Sequence, residues 1–144
     1  MKILFLCTGN SARSIMAEAI LLKHSDGSFE VFSAGIDPKG IHPMTIRVLE
    51  EIGVDTSGLE SKSLEQYANR DDIDYVIILC ANAERNCPVF QRDTKREHWG
   101  FEDPGLTEGS ENDILAKFRE IRDLIDSRIQ TWIAEIEPNM LGPR

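Results

Sequence analysis

A chain of 144 residues fits one domain and is long enough to bury a hydrophobic core. Its net charge of −9 argues against nucleic acid or an anionic membrane as the main partner, since both need clustered basic surface. No apolar run approaches the ~20 residues of a membrane span, and the stretch Ile3 to Cys7 behind Lys2 is too short for a signal-peptide core of roughly 7–15 residues, so a cytoplasmic location is expected.

Lys2–Leu6 reads as a short, continuously apolar strand of the buried parallel kind. A loop follows from Cys7, then a helix from about Ser14 to Lys23, with Ile15, Ala19 and Leu22 at helical spacing and Ile20 and Leu21 widening the apolar face. Asp26-Gly27 is turn chemistry, and Phe29–Ala34 is a second strand ending at Gly35. Pro43 suits the first turn of a helix that runs to about Ile52 and stops at Gly53. Ser63–Tyr67 is expected to form a helical turn. Tyr75–Leu79 is the strongest strand signal and delivers Cys80 at its end. Asn82–Asn86 is expected to be helical, Thr94–Trp99 to contain a short edge strand, and Phe101–Gly109 to be a loop. A long amphipathic helix runs from about Ser110 to Ile136, with Ile114, Leu115, Phe118, Ile121, Leu124, Ile125, Ile129, Trp132, Ile133 and Ile136 on one broad face. Pro138 is expected to end it, giving one domain over residues 1–137 and a flexible tail over 138–144.

Strands alternating with helices imply a parallel α/β sheet with right-handed crossovers, and such sheets bind ligands beyond the carboxyl ends of their strands. Cys7 and Cys80 both fall at such ends. The loop Cys7-Thr8-Gly9-Asn10-Ser11-Ala12-Arg13-Ser14 joins a strand to a helix, a turn that aims successive N–H groups at one point beside the positive helix end. Gly9 and Asn10 tolerate the unusual backbone angles of such a nest. Thr8, Gly9, Asn10, Ser11, Ala12 and Arg13 are therefore the expected oxyanion-binding residues, Arg13 adding a planar fork matched to two oxygens of a phosphate-like ion. The same field favours a nucleophilic thiolate at Cys7, to which Ser14 can donate a hydrogen bond. Neither Gly-Lys-Ser/Thr nor G-x-G-x-x-G occurs here, which removes the common nucleotide loops. Asp103, in an Asp-Pro pair on the loop before the last helix, is placed to protonate a departing oxygen.

The three cysteines are an odd set, unlike a secreted disulfide framework. On a continuous helix Cys80 and Cys87 would stand ~10.5 Å apart, beyond the ~7 Å limit of a disulfide; if they pair, Ala81–Asn86 cannot remain regular helix. A metal site is a weaker reading, because His98 is a lone imidazole and His24 and His42 are expected at the surface or as caps. A nucleophilic Cys7 with two further thiols suggests a relay that passes oxidation from Cys7 to Cys80 to Cys87. Hydrolysing a phosphoester consumes no electrons and needs Cys7 alone, whereas reducing arsenate to arsenite takes two electrons, which a dithiol supplies.

These residues resemble the arsenate reductases built on the low-molecular-weight tyrosine phosphatase fold, in their thioredoxin-coupled branch. The likeness runs from about Lys2 to Ile133 and rests on Cys-Thr-Gly-Asn-Ser-Ala-Arg-Ser at 7–14, Met-Ala-Glu at 16–18, Ser-Ala-Gly at 33–35, Cys80 with Cys87-Pro88, and His-Trp-Gly-Phe-Glu-Asp-Pro at 98–104. The resemblance implies a single α/β domain, a four-stranded parallel sheet flanked by helices on both faces. It implies that Cys7 attacks arsenic, Arg13 binds the oxyanion, Ser14 supports the thiolate and Asp103 is the acid. Cys80 would then attack the adduct and release arsenite, and a Cys80–Cys87 disulfide would be reduced by external thioredoxin. The expected molecule is a monomer with no bound cofactor and no metal, serving arsenic detoxification. Some relatives hold potassium near the loop with groups matching Asn10, Glu18 and Ser33, plus a Thr and an Asp where this chain carries Glu60 and Lys62. The Lys62 ammonium is expected to replace that cation; a solvated surface lysine is the plain alternative. The runner-up function is a low-molecular-weight tyrosine phosphatase working through a Cys7 phosphocysteine. A non-enzymatic oxyanion or redox sensor leaves Asp103 unexplained.

Overall fold

The structure, a computed structural model, describes residues 1–87 and 93–140. Four parallel strands, β1 (Lys2–Cys7), β2 (Glu30–Gly35), β3 (Tyr75–Ile78) and β4 (Lys95–His98), form one sheet in the order β2-β1-β3-β4. The most apolar strands are central: Leu4 of β1 lies between Phe32 of β2 and Val76 of β3, and Phe5 between Ser33 and Ile77. The polar β4 takes the edge, where one flank is left to solvent. The helices are α1 (Arg13–His24), α2 (Pro43–Glu50), α3 (Ala81–Asn86) and α4 (Glu111–Met140), with 3-10 turns at Leu64–Gln66 and Pro104–Leu106.

β1 to β2 steps one way across the sheet and β3 to β4 the other, so right-handed crossovers place α1 and α3 on opposite faces. α4 packs along α1 and also meets α2. Its buried stripe, Leu115, Phe118, Ile121, Ile125, Ile129, Trp132 and Ile136, advances by three and four residues. Trp132 is core, as its spacing predicts, and its indole donates to Glu97 Oε2 at 3.2 Å. Glu51, just past α2, meets Arg122 Nη1 at 2.8 Å and is also bound by Arg119; the Arg119 guanidinium, with Arg122 beside it, holds its carboxyl down to about 2. His42 caps α2 through Nδ1, which accepts from Met44 N at 3.0 Å. Gly53, at φ +83°, closes that helix with its N–H on the Glu50 carbonyl at 3.0 Å.

Three expectations change. Pro138 does not end the last helix, whose backbone runs on to Met140; a proline so near the end forfeits one carbonyl partner at Ala134 with little helix beyond it to disrupt. The proposed tail therefore begins inside α4, and its last residues, 141–144, lie outside the described residues. Leu124 and Leu22 point to solvent, 49% and 46% exposed. Each sits at the margin of a stripe whose centre, Ile121/Ile125 or Met16/Ile20, takes the core. No helix among the described residues is long and apolar enough to cross a membrane.

Candidate active site

β1 ends at Cys7 and α1 begins at Arg13, so the intervening loop lies at the carboxyl edge of the sheet. Its hub is Asn10, fully buried at φ +45°, the one non-glycine residue with positive φ among the described residues. The Lys62 N–H can only donate, and it meets Asn10 Oδ1 at 2.7 Å; this fixes the amide, turning Nδ2 toward Ser14 Oγ at 2.7 Å and Ser33 Oγ at 3.0 Å. Ser33 Oγ donates its own hydrogen bond to the Glu18 carboxylate. Ser14, having accepted from Asn10, has its single proton left for Cys7 Sγ, 2.8 Å away. The chain of donors thus ends on the sulfur. β2 can press against this loop because it ends in glycine: a Cβ at Gly35 would lie 2.7 Å from the Thr8 carbonyl and 2.8 Å from Asn10 N.

Arg13 is aimed by the loop before α4. Its Nη1 donates to the Phe101 carbonyl at 3.1 Å, and its Nη2 lies 3.6 Å from Asp103 Oδ2. Asp103 is itself oriented by the Gly105 N–H, which donates to Oδ1 at 2.9 Å. A cavity of about 110 Å³ is lined by Cys7, the loop residues, Arg13 and Asp103. That is well below the ~300–1,000 Å³ of pockets for drug-sized ligands and suits a single tetrahedral ion. Ala12, at the N-terminal cap of α1, supplies no side-chain acceptor, so the first-turn N–H groups keep their capacity for an anion.

Cys80 arrives on the same side because β3 lies next to β1. Leu79 N–H donates to the Leu6 carbonyl at 2.8 Å, and Cys80 Sγ comes to 3.2 Å from Thr8 Oγ1. The sulfur also accepts from Ala83 N at 3.4 Å, making it the N-terminal cap of α3. Thr8, expected at the oxyanion, therefore also reaches the second cysteine. Cys87 stands half-buried at the opposite end of α3, and Cys7, Cys80 and Cys87 are not joined by a disulfide. Cys7, Arg13, Ser14, Asp103 and Cys80 are brought together; Cys87 is held apart by the intact helix.

Lys62 lies against the same network. Its Nζ is 3.5 Å from Glu18 Oε1 and donates to the Glu60 carbonyl at 3.0 Å, with the side chain 16% exposed. Among the described residues no group of three His, Cys, Asp or Glu could hold a metal ion. Sequence reasoning missed the Gly35 contact, the Phe101 carbonyl on Arg13 and the presence of Lys39 at the cavity wall. None carries a local signal, since each depends on a neighbour far along the chain.

A buried cysteine, a strand-to-helix anion loop, a bidentate-capable arginine and a facing carboxylic acid define a class of cysteine-dependent oxyanion enzymes. The chain belongs to the low molecular weight phosphotyrosine protein phosphatase family, whose model matches residues 2–141. An arsenate reductase of Halalkalibacterium halodurans is 41% identical over 130 residues, covering 90% of this chain and 93% of that protein. An arsenate reductase solved in a phosphate-binding state superposes with a TM-score of 0.75 at 34% identity, over 94% of this chain and 98% of the other. The thioredoxin-dependent arsenate reductase of Corynebacterium glutamicum gives 0.74 at 29% identity, over 96% of this chain and 62% of that one.

Proposed function

We propose that this chain reduces arsenate to arsenite through a relay of Cys7, Cys80 and Cys87, recharged by thioredoxin, as a cytoplasmic monomer in arsenic detoxification. The observation that carries the reading is the placement of Cys80 Sγ at 3.2 Å from the Oγ1 of Thr8, itself a wall residue of the Cys7 pocket, where a hydrolase has no use for a second thiol. The Cys7 thiolate, held by Ser14, attacks arsenic while Arg13 and the loop N–H groups of Thr8 to Ala12 bind the oxyanion. Asp103 gives a proton to the departing oxygen, which leaves as water. Cys80 then attacks Cys7 Sγ. The sulfur–arsenic bond breaks, its electron pair goes to arsenic, and arsenite departs with a Cys7–Cys80 disulfide left behind. Cys87 attacks Cys80, freeing Cys7 and forming Cys80–Cys87, for which α3 must unwind. A thioredoxin dithiol restores the starting state. Cys7, Arg13 and Asp103 also suffice for slow phosphoester hydrolysis, so a side activity on aryl phosphates is expected.

Arsenate-dependent NADPH oxidation, coupled through thioredoxin reductase and thioredoxin, tests the proposal. Oxidation in step with arsenate supports it. Hydrolysis of aryl phosphate with no arsenate-dependent oxidation under any thiol system overturns it in favour of a phosphatase, and turnover with glutaredoxin or mycothiol alone makes thioredoxin the wrong partner.

Lys62 serves, on this reading, as a built-in cation beside Glu18, holding the carboxylate that orients Ser33 and so Asn10. Potassium would have to displace an ammonium already paired with Glu18 and the Glu60 carbonyl. Turnover at matched ionic strength is therefore expected to be the same in potassium and sodium. A large, specific gain from potassium contradicts this role.

A further inference from the structure

Lys39 lines the oxyanion cavity, and the reaction outlined above makes no use of it. Its position is set by the backbone. The segment after β2 is tied to the oxyanion loop rung by rung: the N–H groups of Ile36, Asp37, Lys39 and His42 donate to the carbonyls of Cys7, Thr8, Gly9 and Ser11 at 3.2, 2.9, 3.0 and 3.1 Å. The aliphatic stem of Lys39 lies on Gly9, where a Cβ would meet its Cγ and Cδ at 3.7 Å. The exposed ammonium rests 3.4 Å from Asp37 Oδ2, within reach of solvent and of the pocket mouth.

We propose that Lys39 is the second cation of the pocket and a specificity-determining residue, selecting a free inorganic oxyanion over a phosphate monoester that carries an organic group outward. The inference rests on the reading of this site as an oxyanion pocket. Charge balance argues for it. Arg13 already shares its guanidinium with Asp103, and a Cys7 thiolate beneath the ligand adds a further negative charge. With Asp103 protonated to act as the acid, one arginine facing a thiolate and a dianion still leaves the complex negative. An ammonium at the open side offsets that excess where the loop cannot. Among the described residues the wall holds no aromatic ring on which an aryl group could stack, whereas an outward oxygen finds a cation.

Calorimetric titration of the reduced protein with inorganic phosphate tests this without turnover. Lys39→Gln is expected to weaken phosphate binding about three- to tenfold, Lys39→Glu more, and both effects should shrink at high salt. Lys39→Arg should stay within about twofold of the parent, because the charge is kept. Asp37→Asn, which removes the competing carboxylate, should tighten binding. In arsenate reduction the Lys39→Gln loss should appear in KM rather than kcat, and kcat/KM for p-nitrophenyl phosphate should fall less than that for arsenate. Unchanged phosphate affinity in both Lys39→Gln and Lys39→Glu overturns the proposal. A charge-dependent change in a protein that reduces no arsenate supports the role of Lys39 and sinks the reductase reading alone; a parent protein that binds no phosphate sinks both.

Discussion

Cys87→Ser is expected to stop arsenate turnover after one cycle while leaving aryl phosphate hydrolysis intact. In the relay Cys87 acts only once the Cys7–Cys80 disulfide exists, so capture, proton donation and arsenite release all precede it. The variant should release about one arsenite per molecule and then stall, with multiple turnover lower by at least about a hundredfold. The stall follows from burial. Cys7 is 2% and Cys80 9% exposed, and a disulfide between them is shut off from a protein reductant. In the proposed relay Cys87, half-buried at the far end of α3, is the route by which oxidation reaches the surface. Rapid-quench measurement of arsenite, with mass spectrometry of the stalled protein showing two hydrogens lost between Cys7 and Cys80, checks both halves. Sustained turnover at the parent rate removes Cys87 from the mechanism.

Arg13→Lys is expected to lower kcat/KM for arsenate and for aryl phosphate together, by about a hundred- to a thousandfold. A lysine keeps the charge but loses the fork that meets two oxygens at once. It also loses the contact to the Phe101 carbonyl and the aim toward Asp103, so the acid is no longer registered over the pocket. The paired fall distinguishes Arg13 from Cys87, whose loss spares hydrolysis. Steady-state kinetics on both substrates, with the thermal midpoint as a folding control, measure it. A change under about threefold in a folded variant means that the oxyanion is held by the loop N–H groups alone.

Much of the architecture was legible because its signals are local. The continuous apolar run of β1, the run at Tyr75–Ile78 and the stripe of α4 each announce burial by period, and the loop at 7–14 carries its chemistry in adjacent residues. The margins were less legible. Leu22 and Leu124 fit a helical period yet face solvent, because periodicity gives the direction of a stripe and not its width, which depends on the partner that covers it. Pro138 reads as a stop, but a proline in the last turn costs only one bond.

The loop from Cys7 to Ser14, the strand-helix alternation and the spacing of Cys80 and Cys87 were determined by the sequence itself, since each is written within a few residues. Other features were decided only by the tertiary structure. Folding sets Cys80 against Thr8, presses Gly35 onto the loop, lays Lys62 on Glu18 and hangs Lys39 over the pocket mouth. The reason is topological: β3 lies beside β1 although much of the chain separates them, and the segment after β2 hydrogen-bonds to the loop before α1. Such neighbours are chosen by crossover and register, which no local pattern of residues encodes.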